Sequence, residues 1–180
     1  FSWNFYLATK HENYFYLAIC DSTGHGIPRA FMSLLSIGFL SEAIKEKNIA
    51  KPNEILDYVR KRLIESITNE NQRDGFDGIL LRFEKTSNTI TYAAANNHPV
   101  LTTKNEIKHL EYDKMPVGKG EKLINFKLFS IELKANDMLY LYTDGYADQF
   151  GGEKGKKFKY KPLNDLLFSV GLVTPVVFVI

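Results

Sequence analysis

The sequence contains one cysteine, Cys20, and therefore cannot form an internal disulfide. The apolar residues before it predict a buried strand, so Cys20 is interpreted as a core residue. This excludes a disulfide-stabilised secreted scaffold and favours a reducing compartment, the cytoplasm. Charge of one sign is also scarce, because 23 Lys and Arg oppose 21 Asp and Glu and leave a net charge of +2. That balance argues against nucleic acid as a partner.

The sequence also lacks a hydrophobic run of transmembrane length. Its longest apolar stretch, residues 166–180, is shorter than the roughly 18 residues that a membrane-spanning helix needs. It is interrupted by Ser169, Gly171, Thr174 and Pro175. The first ten residues contain neither the basic nor the apolar region of a signal peptide. We therefore expect no membrane contact by this domain.

The chain has the composition of one globular domain. Of its 180 residues, 44% are hydrophobic and 24% are charged. A chain of this length buries roughly 70% of its unfolded surface, so it needs neither a disulfide nor a metal to fold. Disorder would require low hydrophobicity together with high net charge, and the chain has neither.

The spacing of apolar residues predicts two strands, two helices, several strands and a final short helix. Segregated runs of this kind indicate an α+β domain with mainly antiparallel sheets. The first helix is indicated by the helical spacing of Phe31, Leu34, Leu35, Gly38 and Ile44. The predicted strands are residues 3–9, 14–20, 78–85, 89–95, 99–103, 106–111, 124–133 and 137–143, the helices are residues 28–47, 52–67 and 162–169, and residues 151–161 form a basic loop.

The segment DSTGHG, residues 21–26, is a candidate metal site. Asp21 follows an apolar strand directly and precedes a glycine-rich turn, which lets its carboxylate reach a cation without burial in the core. Mg²⁺ and Mn²⁺ prefer carboxylate, carbonyl and water oxygens. The alternative is that Asp21 only caps the following helix and that the glycines permit the turn. The spacing alone leaves both open.

A second candidate, TDGYADQFGG, follows another apolar strand at residues 143–152. Asp144 stands at the end of that strand, and Asp148 lies four residues later. Two strand-terminal aspartates in one domain are typical of sites in which two cations share bridging carboxylates. The alternative is an ordinary turn with a capping aspartate.

Several motifs together resemble the bacterial type-2C metal-dependent serine/threonine phosphatases, in the branch of sporulation stage II protein E and the stress-response phosphatases. The resemblance rests on residues 15–35, 93–99, 115–118 and 140–152, which match that branch in order. It spans about residues 1–170 and therefore nearly the whole chain. It implies a four-layer α-β-β-α sandwich of two antiparallel sheets flanked by helices.

The resemblance also implies a chemistry and a set of site residues. Two Mn²⁺ or Mg²⁺ ions would activate a water for attack on a phosphoserine or phosphothreonine, with no covalent intermediate. Asp21 resembles the aspartate that bridges the two metals, and Asp144 resembles a further ligand. Ser22 stands where the family uses a backbone carbonyl as a ligand. His25 would orient a ligand or a bound water as a neutral imidazole.

The chain departs from the family pattern at both ends. The family carries Gly-Asp before an aromatic pair in the first strand, and this sequence has Trp3 and Asn4 instead. Asn4 would then be a weaker, neutral metal ligand. No acidic residue follows Asp165, whereas the family carries a further ligand in its last strand. We therefore divide the chain into a phosphatase-like domain at residues 1–170, shortened at its N-terminus, and a divergent apolar segment at residues 171–180.

Other polar residues have less specific interpretations. Asp74 and Asp77 in RDGFDG also match the branch, but a turn role is favoured for them because Asp-Gly is a common turn dipeptide. Arg29 stands one turn from the first motif and is interpreted as an exposed helix residue rather than a phosphate ligand. Cys20 has no neighbouring His or cation in the sequence and is not interpreted as a nucleophile.

The resemblance implies a phosphorylated protein as substrate, of the anti-sigma-factor antagonist type, and sensor domains in the parent protein. The leading hypothesis is thus a bacterial phosphatase in signal transduction and sigma factor regulation. A second hypothesis is a catalytically impaired phosphatase-like binding or regulatory module, motivated by Asn4 and by the missing terminal aspartate. A third, unrelated α+β metal hydrolase would have to reproduce several ordered motifs by chance.

Overall fold

The structure, a computed structural model, describes residues 4–23, 27–66, 75–84, 86–104, 106–121, 123–151, 156–171 and 178–179. The order of elements follows the predicted α+β pattern. The elements are β1 (Asn4–His11), β2 (Tyr14–Ser22), α1 (Ile27–Lys45), α2 (Pro52–Ser66), β3 (Gly75–Glu84), β4 (Thr89–Ala95), β5 (Val100–Thr102), β6 (Ile107–His109), β7 (Val117–Gly118), β8 (Phe129–Glu132), β9 (Met138–Leu141), α3 (Asp144–Ala147), β10 (Phe150–Gly151), β11 (Lys156–Lys157), α4 (Tyr160–Gly171) and β12 (Phe178–Val179).

Two sheets form the centre of the molecule. The first is antiparallel, with the strand order β1-β2-β3-β4-β8 and with β7 paired to β3. The second has the order β12-β9-β5-β6, in which β5 pairs with both β9 and β6 in antiparallel fashion. The first sheet uses long neighbouring strands, because β2 pairs along its whole length with both β1 and β3.

Three apolar clusters hold four layers together. One cluster packs α1 and α2 against one face of the first sheet. A second lies between the two sheets, and a third joins the outer face of the second sheet to α4. The strands alternate accordingly, since Cys20 belongs to the helix-side cluster and Ile19 to the inter-sheet cluster. The four-layer α-β-β-α sandwich is therefore confirmed.

The helical spacing of apolar residues in α1 does not identify its buried face. Phe31 and Leu34 are 62% and 66% exposed, and Leu35 is 37% exposed, whereas Leu40 and Ile44 are fully buried. Apolar residues occur on several sides of this helix, so their spacing does not select one face. The contact between α1 and the first sheet decides which side is buried.

The segment near the C-terminus contains more structure than the sequence indicates. The predicted basic loop contributes to a hairpin, because β10 pairs with β11 at Phe150↔Lys157 and Gly151↔Lys156. β12 runs parallel to β9, so the second sheet is mixed rather than purely antiparallel. None of the helices within the described residues is both long and apolar enough to cross a membrane.

Gly78 generates a stability prediction, because it stands in β3 opposite Cys20 of β2. A Cβ at this position would lie 2.6 Å from the Ile19 carbonyl oxygen and 2.8 Å from the Cys20 Sγ. We expect Gly78→Ala to lower the free energy of unfolding in urea by about 1–3 kcal/mol through overpacking. Gly38→Ala is the matched control, because a Cβ there meets nothing within 4 Å. It should raise stability by up to about 1 kcal/mol through helix propensity, and equal effects of the two changes would contradict the packing described.

Candidate active site

Three oxygen-bearing side chains form a row across the first sheet. Asn4 of β1 is in register with Asp21 of β2, and Asp21 is in register with Asp77 of β3. Residues directly opposite each other in antiparallel strands project from the same face of the sheet. The register therefore gathers an amide and two carboxylates near one end of the sheet. The predicted turn role of Asp77 is wrong, since this residue lies within a strand.

Asp144 reaches the same row from the second sheet. It follows β9 and is the first residue of the short helix α3, rather than part of the plain turn considered from the sequence. Its charge acts on both Asp21 and Asp77, and its side chain is close enough to Asp21 for the two carboxyl groups to interact. Asp21 and Asp144, from the two motifs that the sequence singles out, thus come together at the ends of β2 and β9.

Burial and, to a lesser extent, neighbouring carboxylates raise the pKa of Asp21 and Asp77. Burial raises the pKa of Asp21 above its ordinary value, the Arg29 guanidinium opposes this, and Asp144 adds to it. Burial also raises the pKa of Asp77, the Asn96 amide opposes this, and the charges of Asp21 and Asp144 raise it further. The fold thus brings several carboxyl groups together and disfavours the ionised form of Asp21 and Asp77.

Arg29 forms an ion pair with Asp21. Its Nη2 lies 2.5 Å from Asp21 Oδ1, and the two side chains are only 16% and 18% exposed. The prediction of an exposed helix residue is therefore wrong. The sequence places Arg29 in the first turn of α1, but only the packing of α1 on the sheet turns its guanidinium to Asp21.

Two asparagines of the NNHP motif form hydrogen bonds beside the carboxylates. Asn96 donates from Nδ2 to Asp77 Oδ1 at 3.0 Å, and its backbone has a φ of 51°. Asn97 donates from Nδ2 to the Tyr142 carbonyl oxygen at 2.6 Å, which ties the end of β4 to the end of β9. Neither residue was among the predicted site residues, although the motif itself was a signal for them.

Asn4 and Ser22 have different surroundings. Asn4 is exposed and donates from Nδ2 to Thr143 Oγ1 at 2.7 Å, so it connects β1 to the segment that precedes Asp144. The Ser22 side chain is buried and lies 2.8 Å from Ser33 Oγ in α1. The Ser22 hydroxyl thus connects β2 to α1. Its carbonyl as a ligand stays a prediction.

Not every predicted residue lies within the described part of the chain. His25 and Asp74 lie outside the described residues. Among the residues that are described, no group of three or more His, Cys, Asp or Glu side chains converges on one point in the manner of a metal site. Asp21, Asp77 and Asp144 are neighbours, but the Asp21 carboxylate is bonded to Arg29 and the Asp77 carboxylate to Asn96.

Asp148 serves the basic hairpin rather than the carboxylate row. Its carboxylate lies 2.6 Å from Lys157 Nζ of β11. Tyr160, at the start of α4, is near enough to Asp144 and Asp148 that their charges, after burial, raise the pKa of its hydroxyl. The described residues 157–159 of the predicted basic segment therefore lie beside the end of α3.

A cleft of about 330 Å³ opens beside Asp77. Its charged lining includes Lys114, Lys119 and Glu121 besides Asp77, and Met115 and Pro116 of the MPVG segment form part of its wall. A larger cleft of about 700 Å³ includes Leu101, Lys134 and Asn136 and contains none of the predicted site residues. We assign the candidate active site to the smaller cleft, because Asp77 lines it and is in register with Asp21. Its lining residues are Thr23, Asp77, Asn96, Lys114, Met115, Pro116, Lys119, Gly120 and Glu121.

Comparison with known proteins identifies the family. Residues 11–170 match the family described as Stage II sporulation protein E (SpoIIE). The chain belongs to the SpoIIE family. The predicted resemblance to the type-2C stress-response branch is thereby confirmed. No curated protein matched the chain.

Solved structures share the fold of this SpoIIE-family chain. The SiaA-PP2C domain of Pseudomonas aeruginosa superposes with a TM-score of 0.79 at 23% identity, over 92% of this chain and 65% of that one. A Mycobacterium tuberculosis structure of RsbU and RsbW domains gives 0.72 at 20% identity, over 93% and 46%. RsbX in complex with magnesium gives 0.60 at 15% identity, over 95% and 79%. The chain thus spans less than two thirds of the first two structures.

The raised pKa of Asp77 generates a prediction for the metal-free protein. A carboxyl whose folded pKa exceeds its ordinary value of 3.8 holds its proton longer when folded, so stability falls as pH rises through that window. Asp77→Asn removes this titration and can still accept from Asn96. In urea unfolding with a chelator, we expect the variant to lose less stability than the wild type between pH 4 and pH 7. Asp165→Asn on α4 controls for net charge, and a steeper loss in Asp77→Asn than in wild type would contradict the prediction.

Proposed function

We propose that this chain is a metal-dependent serine/threonine protein phosphatase. The proposal is based on one observation. Asn4, Asp21 and Asp77 lie in register on the first sheet, and Asp144 approaches Asp21 and Asp77 from the second. These four residues come from three neighbouring strands and one helix start, so the sandwich itself gathers them. Membership of the SpoIIE family supports the same reaction class.

The donor set fits a hard divalent cation. Three carboxylates and one amide offer oxygen ligands, which Mg²⁺ and Mn²⁺ prefer, and no thiolate lies among them. Cys20 is buried, and burial raises its thiol pKa well above the ordinary value. Asp21, Asp77 and Asp144 would hold the cations, with Asn4 as a weaker ligand. The cations, when bound, would supply a nucleophilic water and neutralise charge on the phosphoryl group.

The chain's own residues would bind and orient the substrate. Lys114 and Lys119 line the cleft beside Asp77 and can attract a dianionic phosphoryl group. Asn96 holds the Asp77 carboxylate in position from the other side. A cleft of this size admits a phosphorylated side chain rather than a whole folded segment. The proposed substrate is therefore a phosphoserine or phosphothreonine on the surface of a signalling protein.

The partner class extends the same proposal. We infer a phosphorylated protein of the anti-sigma-factor antagonist type as the substrate, with sensor domains of the parent protein controlling the activity. Support comes from the family and from the solved structure in which RsbU and RsbW domains occur together.

A second candidate function is a phosphatase-like module with impaired catalysis. Asn4 favours it, because a neutral amide stands in register with Asp21 where the family pattern has a carboxylate. The Asn4 amide nitrogen is bonded to Thr143, which orients this side chain toward the second sheet. The two candidates share the fold and differ in turnover.

Hydrolysis of p-nitrophenyl phosphate and of a phosphoserine peptide tests the first candidate. We expect turnover in millimolar Mn²⁺ that chelation abolishes and that Asp21→Asn and Asp144→Asn each reduce by about 100-fold or more, since each change removes a charged ligand. Asp165→Asn is the matched control, because this aspartate is exposed on α4. Turnover that survives both site changes would contradict the assignment.

Asn4→Asp separates the two candidates. A carboxylate at this position adds a charged ligand, so we expect the dissociation constant for Mn²⁺, measured by calorimetry, to fall about tenfold. Asn136→Asp is the control, because Asn136 is exposed in the distant cleft. Turnover in Asn4→Asp but not in wild type would establish the impaired module. Absence of turnover in both, with no gain in affinity, would contradict a cation role for this position.

A further inference from the structure

Arg29 forms an ion pair with Asp21, the carboxylate that the proposed function assigns to a cation. Its Nη2 lies 2.5 Å from Asp21 Oδ1, within hydrogen-bonding distance, and both side chains are largely buried. A buried ion pair is weakened much less by solvent and salt than a surface pair. The guanidinium therefore provides, within the protein, the positive charge that Asp21 needs beside Asp144 and Asp77.

The placement of Arg29 is prepared by neighbouring contacts. Ser33 donates from Oγ to the Arg29 carbonyl oxygen at 3.1 Å, and Ser33 Oγ lies 2.8 Å from Ser22 Oγ. The first turn of α1 is thus attached to the last residues of β2 at two points, one through the serines and one through the ion pair. Arg29 cannot leave Asp21 by helix displacement without breaking the serine contact, so its side chain must move by changing rotamer.

Arg29 does not stabilise helix α1 from this position. A cation in the first turn of a helix opposes the helix dipole, and α1 has no acidic residue in that turn to offset it. Its Nε is buried and has no hydrogen-bond partner among the described residues. A buried donor without a hydrogen bond costs free energy, so this ion pair is less stable than a fully hydrogen-bonded one. The pair is therefore suited to being exchanged.

We propose that Arg29 is an internal cation that competes with the divalent metal for Asp21, so that metal binding requires its guanidinium to swing off that carboxylate. This inference rests on the proposed function for the identity of the site. A divalent cation bound to Asp21 would lie within a few ångströms of the guanidinium, and the two positive charges would repel each other. This competition sets a threshold of metal concentration. Below that threshold, Asp21 stays paired with Arg29 and does not bind the metal.

Mn²⁺ affinity of Arg29 variants tests this competition by calorimetry, without any substrate. Arg29→Gln removes the charge but keeps a polar side chain, and we expect its dissociation constant for Mn²⁺ to be about tenfold lower than that of wild type. Arg29→Lys keeps the charge and should stay within about threefold of wild type. Arg62→Gln is the matched control, because Arg62 pairs with Glu42, thirteen residues and roughly 20 Å along α1 from Arg29.

Thermal unfolding with and without Mn²⁺ separates competition from a structural role. We expect Arg29→Gln to unfold at a lower temperature than wild type in chelator, because Asp21 loses its counterion, and to gain more from Mn²⁺ than wild type gains. Equal losses with and without Mn²⁺, or an unchanged or weaker affinity, would overturn the proposal. Tight binding by Arg29→Gln without phosphatase turnover would support the competition while contradicting the proposed function. Failure of wild type and variant alike to bind Mn²⁺ would overturn both.

Discussion

The burial of Asp21 and Asp77 close to Asp144 is the constraint on which the site depends. Burial and like charge raise the pKa of Asp21 and Asp77, so the fold holds these groups together at a cost in stability. The surrounding contacts offset that cost, since Arg29 pairs with Asp21 and Asn96 donates to Asp77. Positions that strain a fold in this way are typical of functional sites.

The sandwich supplies the rigidity that such a site requires. Long paired strands set the row of Asn4, Asp21 and Asp77, and the apolar cluster between the sheets fixes the second sheet against the first. Two short polar contacts then join the sheets at the site itself, from Asn4 to Thr143 and from Asn97 to the Tyr142 carbonyl. The position of Asp144 relative to the row therefore follows from core packing and is adjusted by hydrogen bonds at the rim.

Much of the fold could be predicted from the sequence, because alternation in the strands and the order of motifs are local properties. The three longer helices, most strands and the type-2C resemblance follow from that information, and the family match over residues 11–170 agrees with it. The buried face of α1 could not be predicted, since Phe31 and Leu34 are as apolar as the residues that the sheet covers. The hairpin of β10 and β11 could not be predicted either, because lysines dominate that segment and its pairing depends on contacts with α3.

The sequence by itself determined which residues could take part in metal chemistry, since Asp21 and Asp144 each follow an apolar strand and precede a glycine-containing segment. Only the tertiary structure decided which of their neighbours join them. The sequence alone predicts a turn role for Asp77, but the register of β2 and β3 places it beside Asp21. The sequence alone predicts an exposed Arg29, but the packing of α1 on the sheet pairs it with Asp21. The physical reason is that strand register and helix orientation depend on contacts between residues far apart in the chain, which local composition does not encode.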